Sequence, residues 1–371
     1  MKIAVLTYPL NNNFGNLLQA WALKNFLIGY DHDVTVFYRK HRLSYRQYLQ
    51  NYIKSMGLKI LKKPTYPQNS PLQELRFSRN TIRFIQEEIK AQEMYSTTTL
   101  YNNLKKFDVI IVGSDQVWRP KFLGNLYRDY FLVNYNKPPL QKILSYAASF
   151  GSDIWEFKQK EEVDAQNGLT RFDAISVREL NAINFLKKHF SLESEVMPDP
   201  TLLLNSSTYE TLVKDWIKNT NAFKADIFCY LLDLTIQERI LLKSYAQKQG
   251  LSISFIQDSY KDKNGESVYP DVREWLSWIK NSALIITDSF HGSVFSLIFE
   301  KRFIPIINNK RGNSRIESLL QMFGIDSQMT TIENLVRQRT IHSVNIIHNS
   351  EFDNKKSHAK DFILQYLNKK I

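Results

Sequence analysis

The stretch that decides the fold is IITDSFHGSVFSLIF, residues 285–299. An apolar run rich in β-branched residues ends at Asp288, and the spacing of apolar residues then changes from that of a strand to that of a helix. This change predicts a strand over 283–287, a tight turn, and a helix that begins near His291. Because a strand followed directly by a helix is the repeating unit of parallel sheets, the stretch indicates an α/β protein.

The same alternation of strands and helices recurs along the whole chain. Strand-like runs of the first half lie at 2–8, 33–38, 108–114, 143–149 and 174–177. Those of the second half lie at 226–233, 252–257, 283–287 and 303–308. Continuous apolar strands with intervening helices are typical of doubly wound parallel sheets. We therefore predict two Rossmann-like domains that face a central cleft, where such proteins bind their ligands.

A break in this pattern sets the predicted domain limits. Two prolines and a polar cluster interrupt the pattern at 197–207, so we place the first domain at 1–205 and the second at 206–350. The first domain would carry a basic helical insertion at about 39–100. Helical spacing in the tail predicts a C-terminal helix, 351–371, that packs back on the body.

The composition is that of a globular chain without a membrane span. Of the 371 residues, 43% are hydrophobic, which is enough to bury the cores of two domains. No window approaches the roughly 20 apolar residues that cross a bilayer. The first apolar run is also too short for a signal sequence. We therefore expect a cytoplasmic protein.

The formal net charge of +12 is concentrated in one segment. Eight lysines and arginines, and no acid, stand between Asp33 and Glu74, with tyrosines interleaved among them. The basic segment 39–63 is either a solvated helix face or a surface for nucleic acid, an anionic membrane or a lipid-linked phosphate. Since no RNP motif, zinc finger or helix-turn-helix signature accompanies it, we expect no nucleic-acid partner. Peripheral contact with the inner face of the cell membrane stays open.

Missing motifs exclude several kinds of site. Neither GxxxxGK[ST] nor GxGxxG occurs, which argues against P-loop nucleotide chemistry and a dinucleotide fingerprint. No GxSxG elbow is present to anchor a hydrolase triad. The histidines are scattered, without carboxylates or cysteines at metal-ligand spacing. We expect neither a metal nor a bound cofactor.

The turn at 288–292 has the features of an anion site. Asp288 or Ser289 can cap the following helix, whose first N–H groups favour an anion, and Gly292 would let a ligand approach the backbone. His291 would then stand at the carboxyl end of a strand, where α/β proteins place their chemistry. A buried structural histidine is the alternative.

Further cations follow strands that end at the same edge. Three of them come after the strand at 303–308: Lys310, Arg311 and Arg315. Such side chains either bind a small dianionic or trianionic substrate or remain solvated loop charges. Arg178 also follows a buried strand, and its charge needs a partner there, which would be Glu179, Asp199 or a ligand anion.

Six segments, taken together and in order, resemble the polysaccharide pyruvyl transferases. They are NNFGNLLQAWAL (12–23), DVIIVGSDQVWRP (108–120), SYAASFG (145–151), ISVRE (175–179), PDPTLLL (198–204) and TDSFHGSVFSLIF (287–299). The resemblance implies a glycosyltransferase-B-like fold and transfer of a pyruvyl group from phosphoenolpyruvate to a sugar, usually as a cyclic ketal. It also implies a bacterial surface polysaccharide, or its polyprenyl-diphosphate-linked precursor, as the acceptor. That acceptor would give the basic segment 39–63 an anionic membrane to contact.

The resemblance also assigns residues on the donor side. The family's catalytic histidine falls on His291, and the arginine of its S-x-R-E motif falls on Arg178. Many members carry an arginine two positions before the histidine, where this chain has Ser289. The cations after the next strand, Arg315 among them, can supply that charge.

We expect the acceptor on the first domain. Side chains that could donate or accept hydrogen bonds to a sugar are Asn16, Gln19, Ser114 and Gln116. Trp118 offers an apolar ring to a sugar face or belongs to the core, and Asp115 can serve as a general base. Because fold alone does not fix chemistry, a glycosyltransferase that uses a nucleotide sugar is the alternative function.

Overall fold

The chain has two parallel sheets, each with helices on its faces. The structure is a computed structural model that describes residues 1–40, 71–217, 225–262, 264–309, 313–325, 329–337, 343–344 and 350–368. Seven strands form the first sheet, in the order β3-β2-β1-β4-β5-β6-β7. They are β1 (Lys2–Thr7), β2 (Asp33–Arg39), β3 (Gln92–Met94), β4 (Val109–Val112), β5 (Lys142–Ala148), β6 (Ala174–Val177) and β7 (Glu195–Val196). All neighbouring pairs are parallel.

Helices connect the strands of this first sheet. They are α1 (Phe14–Ile28), α2 (Pro71–Phe77), α3 (Arg79–Phe84), α4 (Thr97–Leu104), α5 (Pro120–Leu123), α6 (Tyr127–Tyr130), α7 (Gln159–Leu169) and α8 (Leu180–Phe190). A π-helical turn at Ile85–Ile89 continues α3, and a 3-10 turn at Pro200–Leu203 follows the last strand. From residue 71 onward, the predicted helical insertion is helical apart from β3 and short connections.

A smaller sheet forms the second half of the molecule. Its strands run parallel in the order β11-β10-β8-β9. They are β8 (Ile227–Tyr230), β9 (Ile253–Phe255), β10 (Leu284–Thr287) and β11 (Arg302–Pro305). The accompanying helices are α9 (Ser206–Ile217), α10 (Ile236–Lys248), α11 (Val272–Asn281), α12 (Phe290–Ile298), α13 (Ser314–Met322), α14 (Ile332–Arg337) and the C-terminal α15 (Ser350–Asn368).

Aromatic packing joins the two halves at the first turn of α1. Phe14 is fully buried and stacks on Trp275 of α11, with ring centroids 5.2 Å apart. An ion pair also joins the two halves, since Arg79 of α3 lies 2.6 Å from Asp262 of the second half. The helix that carries the first part of the resemblance is therefore fixed against the helices that follow β9 and β10.

The C-terminal helix crosses back to the first half. Lys142 Nζ at the start of β5 donates a hydrogen bond to the carbonyl of Tyr366, at 2.8 Å. The rings of Tyr146 and Phe362 lie 6.5 Å apart. Among the described residues, no helix is long and apolar enough to cross a membrane.

The structure corrects one end of the basic segment 39–63. Arg39 is buried at the end of β2, where it forms an ion pair with Asp129 and donates to the carbonyl of Met94. Its charge is matched inside the first domain and cannot face a membrane. Lys40 is exposed and pairs with Glu93. The rest of the segment, from residue 41, lies outside the described residues.

We predict that Arg39→Met lowers the free energy of unfolding by about 3 kcal/mol, because it leaves the carboxylate of Asp129 buried without its partner. Lys40→Met is the matched control and should change it by less than about 1 kcal/mol, since an exposed pair contributes little. Urea denaturation of both variants measures the difference. Equal effects would contradict a buried role for Arg39.

Candidate active site

The start of α12 places His291 between the two halves. Ser289 caps the helix, its Oγ accepting a hydrogen bond from the N–H of Gly292 at 3.4 Å. His291 stands in the first helical turn and is only 7% exposed. Its ring lies against Gly15 in the first turn of α1. The predicted strand, turn and helix are thus present, and they bring the imidazole to the junction of the two sheets.

A buried carboxylate, Asp199, is the centre of the site. Its Oδ2 lies 3.3 Å from Nε2 of His291 and accepts hydrogen bonds from Arg178 Nη1 at 3.1 Å and Ser114 Oγ at 3.2 Å. Its Oδ1 accepts from the backbone N–H and the hydroxyl of Thr201. Two prolines flank Asp199, and the 3-10 turn begins directly after it.

The charges around Asp199 keep it ionised. Burial by itself raises the pKa of this carboxyl, but the charges of His291 and Arg178 and the donated hydrogen bonds outweigh burial and hold the pKa well below its usual range. The site therefore contains a fixed negative charge beside the imidazole. Such a carboxylate can orient the ring and compensate its charge when it carries a second proton.

Arg178 is matched by carboxylates of the protein itself. Besides Asp199, its guanidinium lies 3.5 Å from Asp115 and 3.9 Å from Glu179, and it covers the ring of Phe290 at 4.5 Å. The partner that the sequence left open is therefore a set of three acids. Three acids of the protein therefore already compensate this guanidinium, and donor binding by Arg178 stays a prediction.

Several buried polar atoms of this cluster have no hydrogen-bond partner among the described residues. They are Nε of Arg178, Oε2 of Glu179 and Nε2 of His291. The other oxygen of Glu179 accepts from the hydroxyl of Ser149 and from two backbone N–H groups. Nε of Arg178 and Oε2 of Glu179 lie 3.9 Å apart, and Nε2 of His291 lies 3.3 Å from Asp199, so each of these atoms faces a group of opposite or complementary character without forming a hydrogen bond to it.

Asp115 and Arg315 lie at the margin of the cluster. Asp115 follows β4 in a left-handed conformation, φ 69°, and is buried with its carboxylate beside Arg178. Burial, and then the charge of Arg178, lower the pKa of Arg315 to about 10. Arg315 therefore brings a second guanidinium to the region of Arg178. Lys310 and Arg311, predicted for the same edge, lie outside the described residues.

The structure corrects most of the predicted acceptor residues. Asn16, Gln19 and Trp118 are fully buried in the first domain. The Asn16 amide donates to the carbonyl of Pro9, the Gln19 amide donates to Thr7, and the Trp118 ring stacks on Phe131. These side chains have no surface to offer a sugar. The core alternative therefore holds for Trp118.

The other predicted residues have mixed surroundings. Ser114 is also fully buried, and its hydroxyl donates to Asp199 rather than facing solvent. Gln116 is partly exposed and accepts a hydrogen bond from Arg119 at 2.9 Å. A Cβ on Gly292 would lie 2.2 Å from the hydroxyl oxygen of Thr287. Close packing inside the second half, rather than ligand approach, thus explains that glycine.

A separate cavity lies at the carboxyl ends of the second sheet. Its volume is about 210 Å³, and polar residues of its lining include Asp233, Glu238, Asp288 and Asn308. Three of its six polar lining residues are acids and none of the described lining residues is a cation, so the cavity is a poor match for an anionic donor. Among the described residues, no group of three histidine, cysteine or acidic side chains could hold a metal ion.

Fold and site together define a class of protein. Two Rossmann-like domains with a charged cluster at their junction are the glycosyltransferase-B-like arrangement. The model of the family described as polysaccharide pyruvyl transferase matches residues 13–310. This chain belongs to the polysaccharide pyruvyl transferase family, an enzyme family of polysaccharide biosynthesis, and the resemblance seen in the sequence is confirmed.

Solved structures of similar fold confirm the predicted architecture. A UDP-GlcNAc 2-epimerase from Methanocaldococcus jannaschii is 14% identical, with 99% of each chain covered and a TM-score of 0.53. A complex of MnaA from S. aureus with UDP is 13% identical, with 100% of this chain and 98% of that chain covered and a TM-score of 0.50. At these identities the likeness shows the fold alone. A comparison with curated proteins gives no match.

We predict that Asp199→Asn lowers the free energy of unfolding at pH 7 by about 3 kcal/mol, because it removes a charge that buried cations depend on. A carboxyl whose pKa is lowered by folding stabilises the protein above its unfolded pKa, and this stabilisation is lost as the pH falls through the folded pKa. The difference between wild type and variant should therefore narrow below about pH 4.

Denaturation at a series of pH values measures this difference. The exposed Asp353→Asn is the matched control and should change the free energy of unfolding by less than about 0.5 kcal/mol at every pH. A constant gap between wild type and Asp199→Asn down to about pH 3 would mean that the ionised form of Asp199 does not stabilise the fold.

Proposed function

We propose that the protein transfers a pyruvyl group from phosphoenolpyruvate to a sugar of a bacterial surface polysaccharide or of its lipid-linked precursor, forming a pyruvate ketal. The observation that carries the proposal is the buried cluster in which Asp199 contacts both His291 and Arg178 at the junction of the two halves. Membership of the family supplies the reaction class. The distances within this cluster support the role that we propose for each residue.

Donor binding requires positive groups beside the proposed proton donor. Phosphoenolpyruvate carries a carboxylate and a phosphate, which guanidinium groups and helix N-termini bind well. Arg178 is matched by three acids of the protein, and we assign the charge of the donor to the second guanidinium, that of Arg315, and to the N–H groups at the start of α12. Lys310 and Arg311 would add to this charge.

His291 is the proposed proton donor. An imidazole gives and takes protons near neutral pH, and such help is typically worth about 10²–10⁴-fold in rate. Protonation of the methylene carbon of phosphoenolpyruvate produces an oxocarbenium-like centre at C2. Asp199, 3.3 Å from Nε2, compensates the charge of the imidazolium before the proton is transferred.

Two sugar hydroxyls complete the ketal. The first adds to C2, its proton passes to a base and restores the one that His291 gave to the methylene carbon, and the phosphate then leaves the tetrahedral adduct. The second hydroxyl adds to the resulting oxocarbenium ion, and its proton is balanced by protonation of the departing phosphate. Asp115, at the end of β4 beside Arg178, is positioned to accept a hydroxyl proton, and Gln116 remains a candidate for hydrogen bonds to the sugar.

Location at the inner face of the membrane belongs to the same proposal. A precursor linked to polyprenyl diphosphate is anionic and membrane-bound, so a basic surface would bring the enzyme to it. Arg39 is excluded from that surface by its buried pair with Asp129. The remaining bases of 41–63 lie outside the described residues.

We predict that His291→Ala lowers kcat at least about 100-fold while the fold is retained. Purified enzyme is incubated with phosphoenolpyruvate and candidate glycosides. Mass spectrometry follows the gain of a pyruvate ketal, and a colorimetric assay follows released phosphate. His358→Ala, an exposed histidine of α15, is the control and should keep wild-type turnover. Near-normal activity of His291→Ala would remove its assignment, and transfer from a UDP-sugar alone would refute the reaction.

We predict different kinetic defects for the two arginines. Arg315→Ala should raise the KM for phosphoenolpyruvate about 10- to 100-fold, because it removes a charge-assisted contact to the donor. Arg178→Ala should mainly lower kcat, because it leaves Asp199 and its neighbours uncompensated. Steady-state kinetics of both variants, with the exposed Arg302→Ala as control, separate these effects. An unchanged donor KM in Arg315→Ala would contradict donor binding by that residue.

A further inference from the structure

The first turn of α1 leaves a space that the ring of His291 occupies. A Cβ built on Gly15 would lie 1.9 Å from Nδ1 and 2.1 Å from Cγ of His291. Gly15 has no left-handed backbone conformation that would call for glycine. A glycine at position 15 is therefore explained by the space that it leaves and not by its backbone conformation. The imidazole of His291, the proposed proton donor, fills that space.

Contacts on both sides of Gly15 fix its position. Asn13 caps α1 by accepting a hydrogen bond from the N–H of Asn16 at 3.2 Å. Phe14 is held in the core by its stack on Trp275. These two contacts fix the backbone at Gly15 beside α12. The imidazole of His291 packs against this fixed backbone.

The imidazole of His291 belongs to the second half of the molecule, but it contacts residues of the first half. α12 belongs to the second half, whereas Gly15 and Asp199 both belong to the first. The ring lies against Gly15, and its Nε2 lies 3.3 Å from Asp199. A ring displaced from Gly15 would leave this position beside Asp199.

We propose that Gly15 is a positioning residue of the active site, which holds the imidazole of His291 against Asp199 by providing a space without a side chain. This inference rests on the proposed function for its kinetic consequence, but the contact itself does not depend on it. Gly15→Ala would push the ring away from Asp199. The three atoms nearest to the added Cβ all belong to the imidazole of His291.

The kinetic test compares two glycines with equally tight surroundings. A Cβ on Gly168 of α7 would lie 1.9 Å from the carbonyl oxygen of Phe131, in a part of the first domain that lacks the site residues. Both alanine variants should lower the melting temperature. Only Gly15→Ala should lower kcat per folded molecule, by about 10- to 100-fold, with the KM for phosphoenolpyruvate changed less than about threefold. If kcat of Gly15→Ala stays at the wild-type value, as expected for Gly168→Ala, the proposal is overturned.

A double-mutant cycle tests the contact without using activity. Melting temperatures are measured for wild type, Gly15→Ala, His291→Ala and the double variant. Because His291→Ala empties the space, Gly15→Ala should lower the melting temperature far less in that background. Equal losses in both backgrounds would show that the alanine collides with something other than the imidazole.

The same cycle decides the case in which Gly15→Ala does not fold. A double variant that folds when the single variant does not supports the contact, and failure of both overturns it. If wild-type protein transfers no pyruvyl group, the proposed function fails, and with it the catalytic role of Gly15. The cycle would then still show whether Gly15 provides the space for His291.

Discussion

The site depends on one buried carboxylate shared by an arginine and a histidine. Asp199 contacts Arg178 from the end of β6 and His291 from the other half of the molecule. Removing such a charge from water is costly unless partners and hydrogen bonds compensate it, and here Ser114 and Thr201 complete the compensation. Because its partners come from both sheets, the same group stabilises the junction and orients the imidazole. The proposed chemistry therefore depends on an interaction that also contributes to the packing of the two halves.

The balance of charge around this carboxylate limits how a donor can bind. Three acids surround Arg178, so the cluster is not the simple concentration of cations that the sequence indicates. Arg178 holds Asp199 through an ion pair at 3.1 Å. The proposed contacts for phosphoenolpyruvate are the N–H groups at the start of α12 and Arg315. In this proposal Asp199 orients the imidazole of His291 whether or not phosphoenolpyruvate is bound.

Much of the fold follows from sequence pattern, because long apolar strands and the abrupt change at Asp288 are local features. β3 and β7 escape such analysis because they have only three and two residues. Their positions at the ends of strands identify His291 and Arg178 as candidate site residues. The central position of Asp199 is not visible in the sequence, because its contact with His291 joins residues that are 92 positions apart. Trp118 could not be assigned from the sequence, because an aromatic residue after a strand gives the same pattern whether its ring faces the core or a ligand. The space at Gly15 likewise depends on a residue from the other domain.

The most direct test of the account is a crystal structure of the enzyme with phosphoenolpyruvate bound. We predict electron density for the donor at the start of α12, with its methylene carbon near the ring of His291 and its anionic groups contacting Arg315. Density in the separate cavity beside Asp233 and Asn308, with the Asp199 cluster unoccupied, would contradict the assignment of the active site.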